Sequence, residues 1–218
     1  DYQEMLDEHI RSGADLTIAV QEVPLEESNR FGIAVTNKDN RIIEFQEKPE
    51  KPKNNLASLG IYVFSRETLY KRLIEDSRDP YSEHDFGKDI IPKMISMDHV
   101  HAWKFDGYWK DVGTIHSYWE THMDLLSARN KIDLEKWKVR TNPFDRSVGE
   151  KFPANFVKGC RVENSIIGAG CVIQGTVINS VLSPGVVVKK GAVVEESILM
   201  NDSWIGENAH LKRVISDK

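Results

Sequence analysis

The chain has 218 residues, 40% of them hydrophobic, enough for one large domain or two ordinary ones with packed cores. Its 29 basic and 34 acidic residues give a formal charge of -5, spread without a basic block, which argues against generic binding to nucleic acid or to an anionic membrane. No signal-peptide pattern and no apolar run of about 18 residues are read in these residues, and Cys160 and Cys171 lack metal-type spacing, so the expectation is a cytoplasmic protein.

The sequence opens at Asp1 on an amphipathic pattern, Tyr2, Met5, Leu6, His9 and Ile10, with no capping segment ahead of it. The expectation is a helix, in a chain that begins inside a larger domain. After Gly13, residues 15–23 form a β-rich run stopped by Pro24. Residues 31–37 and 41–47 are two apolar-rich runs joined by Lys38-Asp39-Asn40, a hairpin pattern. Residues 56–64 predict a buried strand, and 66–76 a helix with Leu69, Leu73 and Ile74 at helical spacing. A second helix is expected within 86–96, with Pro92 limiting its start. A strand over 99–105 follows, and then a helix over 113–127 with Thr114 as N-cap and a stripe of Ile115, Tyr118, Trp119, His122 and Leu126. Such alternation implies an α/β sheet over residues 1–130.

Residues 131–158 carry Pro143, Gly149 and Pro153 with no sustained period and read as a linker. From 159 to 218 the sequence repeats. A serine followed by two aliphatics recurs at Ser165, Ser180 and Ser197, in steps of 15 and 17 residues. Within the units aliphatics recur every sixth residue: Ile167 and Ile173; Leu182, Val188 and Val194; Leu199, Ile205 and Leu211. That is the hexapeptide pattern of a parallel β-helix, against which an ordinary β-sandwich is the weaker reading. The chain stops within a fourth unit, so the β-helix is read as truncated.

Glu47 and Lys48 stand where a strand meets two prolines, Pro49 and Pro52. A carboxylate beside an ammonium at a strand end suits a ligand that is part polyol and part phosphate: the acid accepts hydrogen bonds from hydroxyls and lysine neutralises phosphate. Taken alone, those residues are better explained by a solvated Glu-Lys pair before a turn, and it is the neighbouring segments that shift the balance. His99 and His101 lie two apart on a strand, which fits a polar strand face better than a metal site lacking further ligands.

Taken together, "FQEKP", "LASLGIYVF", "EHDFGKDIIP" and "GYWKDVGT" resemble the sugar nucleotide pyrophosphorylases, and within them the glucose-1-phosphate adenylyltransferase branch of bacterial glycogen synthesis. "EKP" is shared widely among sugar-phosphate nucleotidyltransferases, whereas the "HDFGKDIIP" and "YWKDVGT" pair points to the ADP-glucose branch. The resemblance implies the C-terminal portion of a Rossmann-like nucleotidyltransferase domain followed by a left-handed β-helix. It implies that Glu47 and Lys48 hold glucose 1-phosphate, with Gly32, Ser58, Tyr62, Asp85, Phe86 and Trp109 lining the same pocket. It gives Lys48 an electrostatic part in catalysis and makes Asp111 a ligand of catalytic magnesium, Mg2+. The implied reaction transfers AMP from ATP to glucose 1-phosphate, releasing pyrophosphate. The family's glycine-rich, Arg-containing nucleotide loop and its other metal-binding aspartate have no counterpart here, so the expectation is a sugar-binding portion that does not turn over by itself. A non-catalytic regulatory or scaffold subunit of the same family is the alternative. A hexapeptide acyltransferase is a weaker one, because His210 is the only histidine in the repeats. Assembly as a homo-oligomer, or as a hetero-oligomer with a related subunit, is expected from the family's β-helix contacts and from the apolar surface of an incomplete sheet.

Overall fold

The structure is a computed structural model that describes residues 2–127, 132–138 and 149–217. Part of the expected linker, residues 131 and 139–148, lies outside that set. The chain divides into two compact units, Asp1–Gly107 and Tyr108–Lys218.

The described part of the first unit is built on a five-stranded mixed sheet. In chain order its elements are α1 (Tyr2–Ser12), β1 (Leu16–Glu22), β2 (Gly32–Thr36), β3 (Ile42–Glu47), β4 (Leu56–Phe64), α2 (Arg66–Ser77), α3 (Ile91–Met97) and β5 (Val100–Lys104). The strand order is β3-β2-β4-β1-β5, with β1 and β5 parallel and the other neighbours antiparallel. The hairpin forms where the sequence places it. Asn37 Oδ1 accepts the backbone N–H groups of Asp39 and Arg41, and Asn40 takes the left-handed conformation that closes the turn. Leu16, Ile18 and Val20 of β1 pack with Ala34, Ile42, Leu56, Ile91, Met94 and Val100 into one core.

Two helices face differently from their expected stripes. On α1, Met5 and His9 are buried while Tyr2, Leu6 and Ile10 are exposed. On α2, Leu73 and Ile74 are exposed, and the residues turned inward are Arg72 and Asp76. The cause is a set of polar partners that periodicity does not reveal. The Arg72 guanidinium makes two 2.7 Å hydrogen bonds to the Asp98 carboxylate and a third contact of 2.5 Å to Glu75, and the Asp98 bond raises its pKa further.

His9 adds a pH-sensitive contact between α1 and the sheet. Its Nδ1 lies 2.8 Å from Thr17 Oγ1 and its Nε2 3.2 Å from Ser65 Oγ. Ser65 Oγ already donates to the Ala14 carbonyl, so it receives the Nε2 proton and Thr17 donates to Nδ1. Burial pushes the His9 pKa down, Asp15 acts the other way, and His101 nearby adds to the lowering. With the folded value depressed, the contribution to stability is complete above the ordinary value of 6.5 and is lost as pH falls below it through the folded pKa. Below pH 6.5 His9→Gln is therefore expected to give a flatter dependence of melting temperature on pH than the unaltered chain, read by thermal denaturation; parallel curves would remove His9 from the acid response.

In the second unit, α4 (Ile115–Leu126) begins at Thr114, whose Oγ1 accepts the Ser117 N–H while the Ser117 hydroxyl accepts the Thr114 N–H. Tyr118, Trp119, His122 and Leu126 of its expected stripe are half-buried, but Ile115 in the first turn is exposed. Downstream, the hexapeptide pattern becomes three four-stranded parallel sheets among the described residues. The first combines β6 (Asn155–Phe156), β9 (Val172–Ile173), β12 (Val187–Val188) and β15 (Trp204–Ile205). The second combines β7 (Arg161–Glu163), β10 (Thr176–Ile178), β13 (Val193–Glu195) and β16 (His210–Lys212). The third combines β8 (Ile166–Ile167), β11 (Val181–Leu182), β14 (Ile198–Leu199) and β17 (Ile215–Ser216). Aliphatics stack between coils as Ile167-Leu182-Leu199, Ile173-Val188-Ile205 and Val177-Val194-Leu211, filling one apolar column; Val177 joins it although it follows Ile173 by four residues rather than six.

The recurrent serines have a separate structural task. Ser165, Ser180 and Ser197 each donate Oγ–H to the carbonyl two residues earlier, and each Oγ accepts a backbone N–H from the next coil at 3.1 Å. Ser180 and Ser197 are fully buried. They satisfy backbone groups that a corner would otherwise leave without partners. The residues just before the corner, Asn164, Asn179, Glu196 and Arg213, all have positive φ. Asn164 donates to Asn179 and Arg213 to Glu196, so their side chains pair along the axis. Trp119 Nε1 of α4 donates to the Glu196 carbonyl at 2.7 Å, and the Arg213 guanidinium lies over the same indole.

Candidate functional site

In the hairpin register Gly32 lies opposite Glu47, and the next residue of β2, Ile33, pairs with Ala57 beside Ser58. Three segments far apart in sequence thus meet at one end of the sheet. The absence of a side chain at 32 is a packing requirement, since a Cβ there would come within 2.8 Å of the Phe45 ring and 3.0 Å of Glu47 Oε2.

The strand that carries Ser58 and Tyr62 is irregular between them. Tyr62 pairs with Ile18 and Ser58 with Val20, so three residues of β4 stand against one of β1. Gly60 occupies the left-handed region inside that bulge and its N–H donates to Ser58 Oγ. The bulge sets Ser58 and Tyr62 on either side of Gly60, close enough for Ser58 to influence the Tyr62 hydroxyl. Burial raises the Tyr62 pKa, the charges of Glu47 and Asp85 raise it further, and Ser58 works against them. Tyr62 is therefore a protonated hydroxyl beside two carboxylates.

Asp85 and Phe86 arrive from the other side. Asp85 caps a π turn over Phe86–Ile90, its Oδ1 accepting from Gly87 N at 2.8 Å and Lys88 N at 3.0 Å. Phe86 stacks on Tyr62 with ring centroids 6.0 Å apart and planes at 21°. Pro92 sits in the first turn of α3, directly after the π turn. Gly87, which the sequence analysis does not single out, matters as much as Gly32. A Cβ at 87 would lie 2.9 Å from Glu47 Cδ, closer still to Oε2, and 3.3 Å from Asp85 Oδ1. Its signal is the glycine directly after Asp85-Phe86, unreadable without knowing that Glu47 approaches it.

Lys48 follows in a left-handed backbone conformation, with its N–H bonded to the Phe31 carbonyl and its exposed ammonium 3.6 Å from Glu47 Oε1. The proline-bounded exit is tied back to β3, because the Lys53 ammonium reaches Glu44 at 2.6 Å and its N–H reaches Gln46. The result is a carboxylate half-buried among small residues with an ammonium reaching past it into solvent. Gly32, Glu47, Lys48, Ser58, Tyr62, Asp85 and Phe86 lie in this one region of the first unit.

Trp109 and Asp111 belong to the second unit, in the loop that leads into α4. Lys110 between them pairs with Glu120 of α4 at 2.9 Å, and the Tyr108 hydroxyl donates to Asp124 at 2.8 Å. Burial, with the Asp124 bond next, pushes the Tyr108 pKa up to about 12. The loop is thereby held to α4 on both sides of Trp109. Asp111 offers the hard oxygen donor that magnesium prefers, an ion that commonly takes one or two carboxylates and fills its other positions with water and phosphate. Among the described residues no group of three His, Cys, Asp or Glu side chains forms a metal cluster. His101 is buried with Nε2 3.1 Å from Glu8, and His210 is an exposed strand residue.

A mixed sheet whose hairpin, bulged strand and capped turn converge on a carboxylate and a lysine, with a hexapeptide β-helix downstream, defines a class, and comparison with known proteins assigns it. Residues 1–128 match the family model described as "Nucleotidyl transferase", and the chain belongs to that family. Residues 152–218 match the model described as "GlmU-like, C-terminal hexapeptide", which fits the left-handed form of the β-helix. Among curated proteins, the chain is 50% identical to the glucose-1-phosphate adenylyltransferase of Thermosipho africanus (strain TCF52B), over 89% of this chain and 47% of that protein. It is 46% identical to the protein of that name from Acetivibrio thermocellus, over 99% of this chain and 50% of the relative. The one from Bacillus cereus (strain Q1) is 44% identical over 99% of this chain and 57% of its own length. The chain thus spans about half the length of the curated relatives it matches. No helix among the described residues is long and apolar enough to cross a membrane.

Proposed function

We propose that this chain carries the glucose 1-phosphate site of a glucose-1-phosphate adenylyltransferase. The observation that carries the reading is the convergence of Gly32, Glu47, Ser58, Tyr62, Asp85 and Phe86 around one carboxylate, in a chain whose relatives bear that name. Glu47 accepts hydrogen bonds from the sugar hydroxyls, and Tyr62, kept protonated by its surroundings, donates or accepts one more. Phe86 and Gly32 give the sugar a close-fitting wall. Lys48, reaching beyond Glu47, neutralises the phosphate as a point charge and so lowers the repulsion met when that phosphate approaches a second one.

In the proposed reaction a phosphate oxygen of glucose 1-phosphate attacks the α-phosphorus of ATP. The bond to the pyrophosphate oxygen breaks, and ADP-glucose and pyrophosphate leave. No side chain is acylated or phosphorylated, so these residues contribute by orientation and charge. Asp111 would hold magnesium, which when bound offsets the charge of the phosphates. The product would serve glycogen synthesis. Assembly with identical or related subunits belongs to the same proposal, supported by exposed Trp204 and Phe156 on the β-helix and Tyr2 and Ile10 on α1.

Calorimetric titration of the chain with glucose 1-phosphate, with glucose 6-phosphate and ATP as controls and magnesium present, tests the reading. Binding is expected for glucose 1-phosphate, and Lys48→Ala is expected to weaken it by roughly tenfold or more, the loss of one charge-assisted contact. If glucose 1-phosphate fails to bind, or binds the variant equally well, the sugar-phosphate reading is wrong.

A further inference from the structure

Between α2 and the segment bearing Asp85 and Phe86 lies a closed polar network that the pocket itself does not contain. Asp76, on the buried side of α2, has only 5% of its surface exposed. Its Oδ1 accepts from the Ser82 hydroxyl at 2.7 Å, and its Oδ2 lies 2.8 Å from His84 Nδ1. The Ser82 hydroxyl in turn accepts the backbone N–H of His84 at 3.0 Å. One carboxylate thus holds His84 twice, by its ring and, through Ser82, by its backbone.

His84 needs such holding. It has φ of 59°, a conformation that a non-glycine residue adopts at an energetic disadvantage. The residue immediately after it is Asp85, whose carboxylate must meet Gly87 N and Lys88 N, and then comes Phe86 against Tyr62. A relaxed backbone at 84 would redirect both. We infer that Asp76, acting through Ser82 and His84, is a positioning residue for the sugar-phosphate pocket: it fixes the left-handed turn from which Asp85 and Phe86 enter the site. Its helix-facing neighbours do not duplicate the task. Lys93 approaches Asp76 only to 3.9 Å and pairs with Asp79 at 2.7 Å, while Arg72 is engaged by Asp98 and Glu75.

This inference rests on the sugar-phosphate reading, and its test separates the two. Glucose 1-phosphate is titrated into the unaltered chain and into Asp76→Ala, Ser82→Ala, Ser82→Thr and Glu83→Gln, each also melted to record its stability. Glu83 is exposed in the same loop and pairs with Lys88 outside the network. Asp76→Ala and Ser82→Ala are expected to weaken binding by about five- to tenfold, the effect of losing precise orientation of Asp85 and Phe86. Ser82→Thr, which keeps the hydroxyl, is expected to restore affinity, and Glu83→Gln to leave it unchanged. If Ser82→Ala binds within twofold of the unaltered chain, whatever its melting temperature, the positioning role is overturned and the network is only structural. If the unaltered chain does not bind, the sugar-phosphate reading falls first and takes this inference with it.

Discussion

Gly87→Ala is expected to melt at the temperature of the unaltered chain and yet to bind glucose 1-phosphate about 10- to 100-fold more weakly. The methyl group would occupy the space now filled by the Glu47 carboxylate, coming within 2.9 Å of Cδ and nearer to Oε2. Glu47 ends in a flexible side chain, so it can swing outward without disturbing the core, and stability is preserved. What is lost is the acceptor aimed at the sugar. A hydrogen bond to a charged group contributes roughly 1.5–3 kcal/mol, which converts to that range of affinity. Calorimetry alongside thermal denaturation measures both effects. Unchanged affinity would mean that the Glu47 carboxylate does not touch the ligand from its present position.

The second large effect concerns stability alone. Arg72→Met should lower the unfolding free energy by about 3–5 kcal/mol, because it leaves the Asp98 carboxylate inside the protein without its cation. The two side chains are only 7% and 10% exposed and are joined by two 2.7 Å bonds in the bidentate geometry that guanidinium and carboxylate favour. The double variant Arg72→Met with Asp98→Leu should recover most of the loss, since replacing a whole buried ion pair is far milder than halving it. Urea unfolding of the unaltered chain, the single and the double variant provides the comparison. A single variant within about 1 kcal/mol of the parent would show that Asp98 is rehydrated at little expense.

Much of the architecture is legible in the residues. The strand over 56–64 matches β4 in both boundaries, and the Asn-rich turn between residues 37 and 41 announces the hairpin. In the repeats the six-residue period marks the column, because only one side chain in each short strand can point into so narrow a core. The faces of α1 and α2 were not legible. Leu69, Leu73 and Ile74 have the spacing of a core stripe, but spacing cannot say that Arg72 meets Asp98 after α3 and that Asp76 meets Ser82 and His84 beyond the helix. The pocket divides in the same way. Glu47 and Lys48 stand out as an adjacent acid and base, whereas Gly60 and Gly87 act through a bulge and a close approach that exist only once distant segments have met. The mixed sheet also changes the argument for Glu47: β3 is antiparallel to its neighbour, so the site owes its place to hairpin register rather than to the carboxyl ends of parallel strands.

The corner of the β-helix at Asn164, Asn179, Glu196 and Arg213 carries an implication for how such repeats diverge. The side chains there pair as two couplets, amide with amide and acid with base, rather than as one uniform ladder. Substitutions at this corner are therefore coupled most directly within a couplet. Exchanging Glu196 and Arg213 together would keep the couplet, while changing either alone would strand its partner. The lower couplet is further constrained, because Arg213 also covers Trp119 and the Glu196 carbonyl receives its indole proton. A coil can thus drift freely where its corner faces only its own kind, and becomes fixed in chemistry where a helix from outside the repeat leans on it.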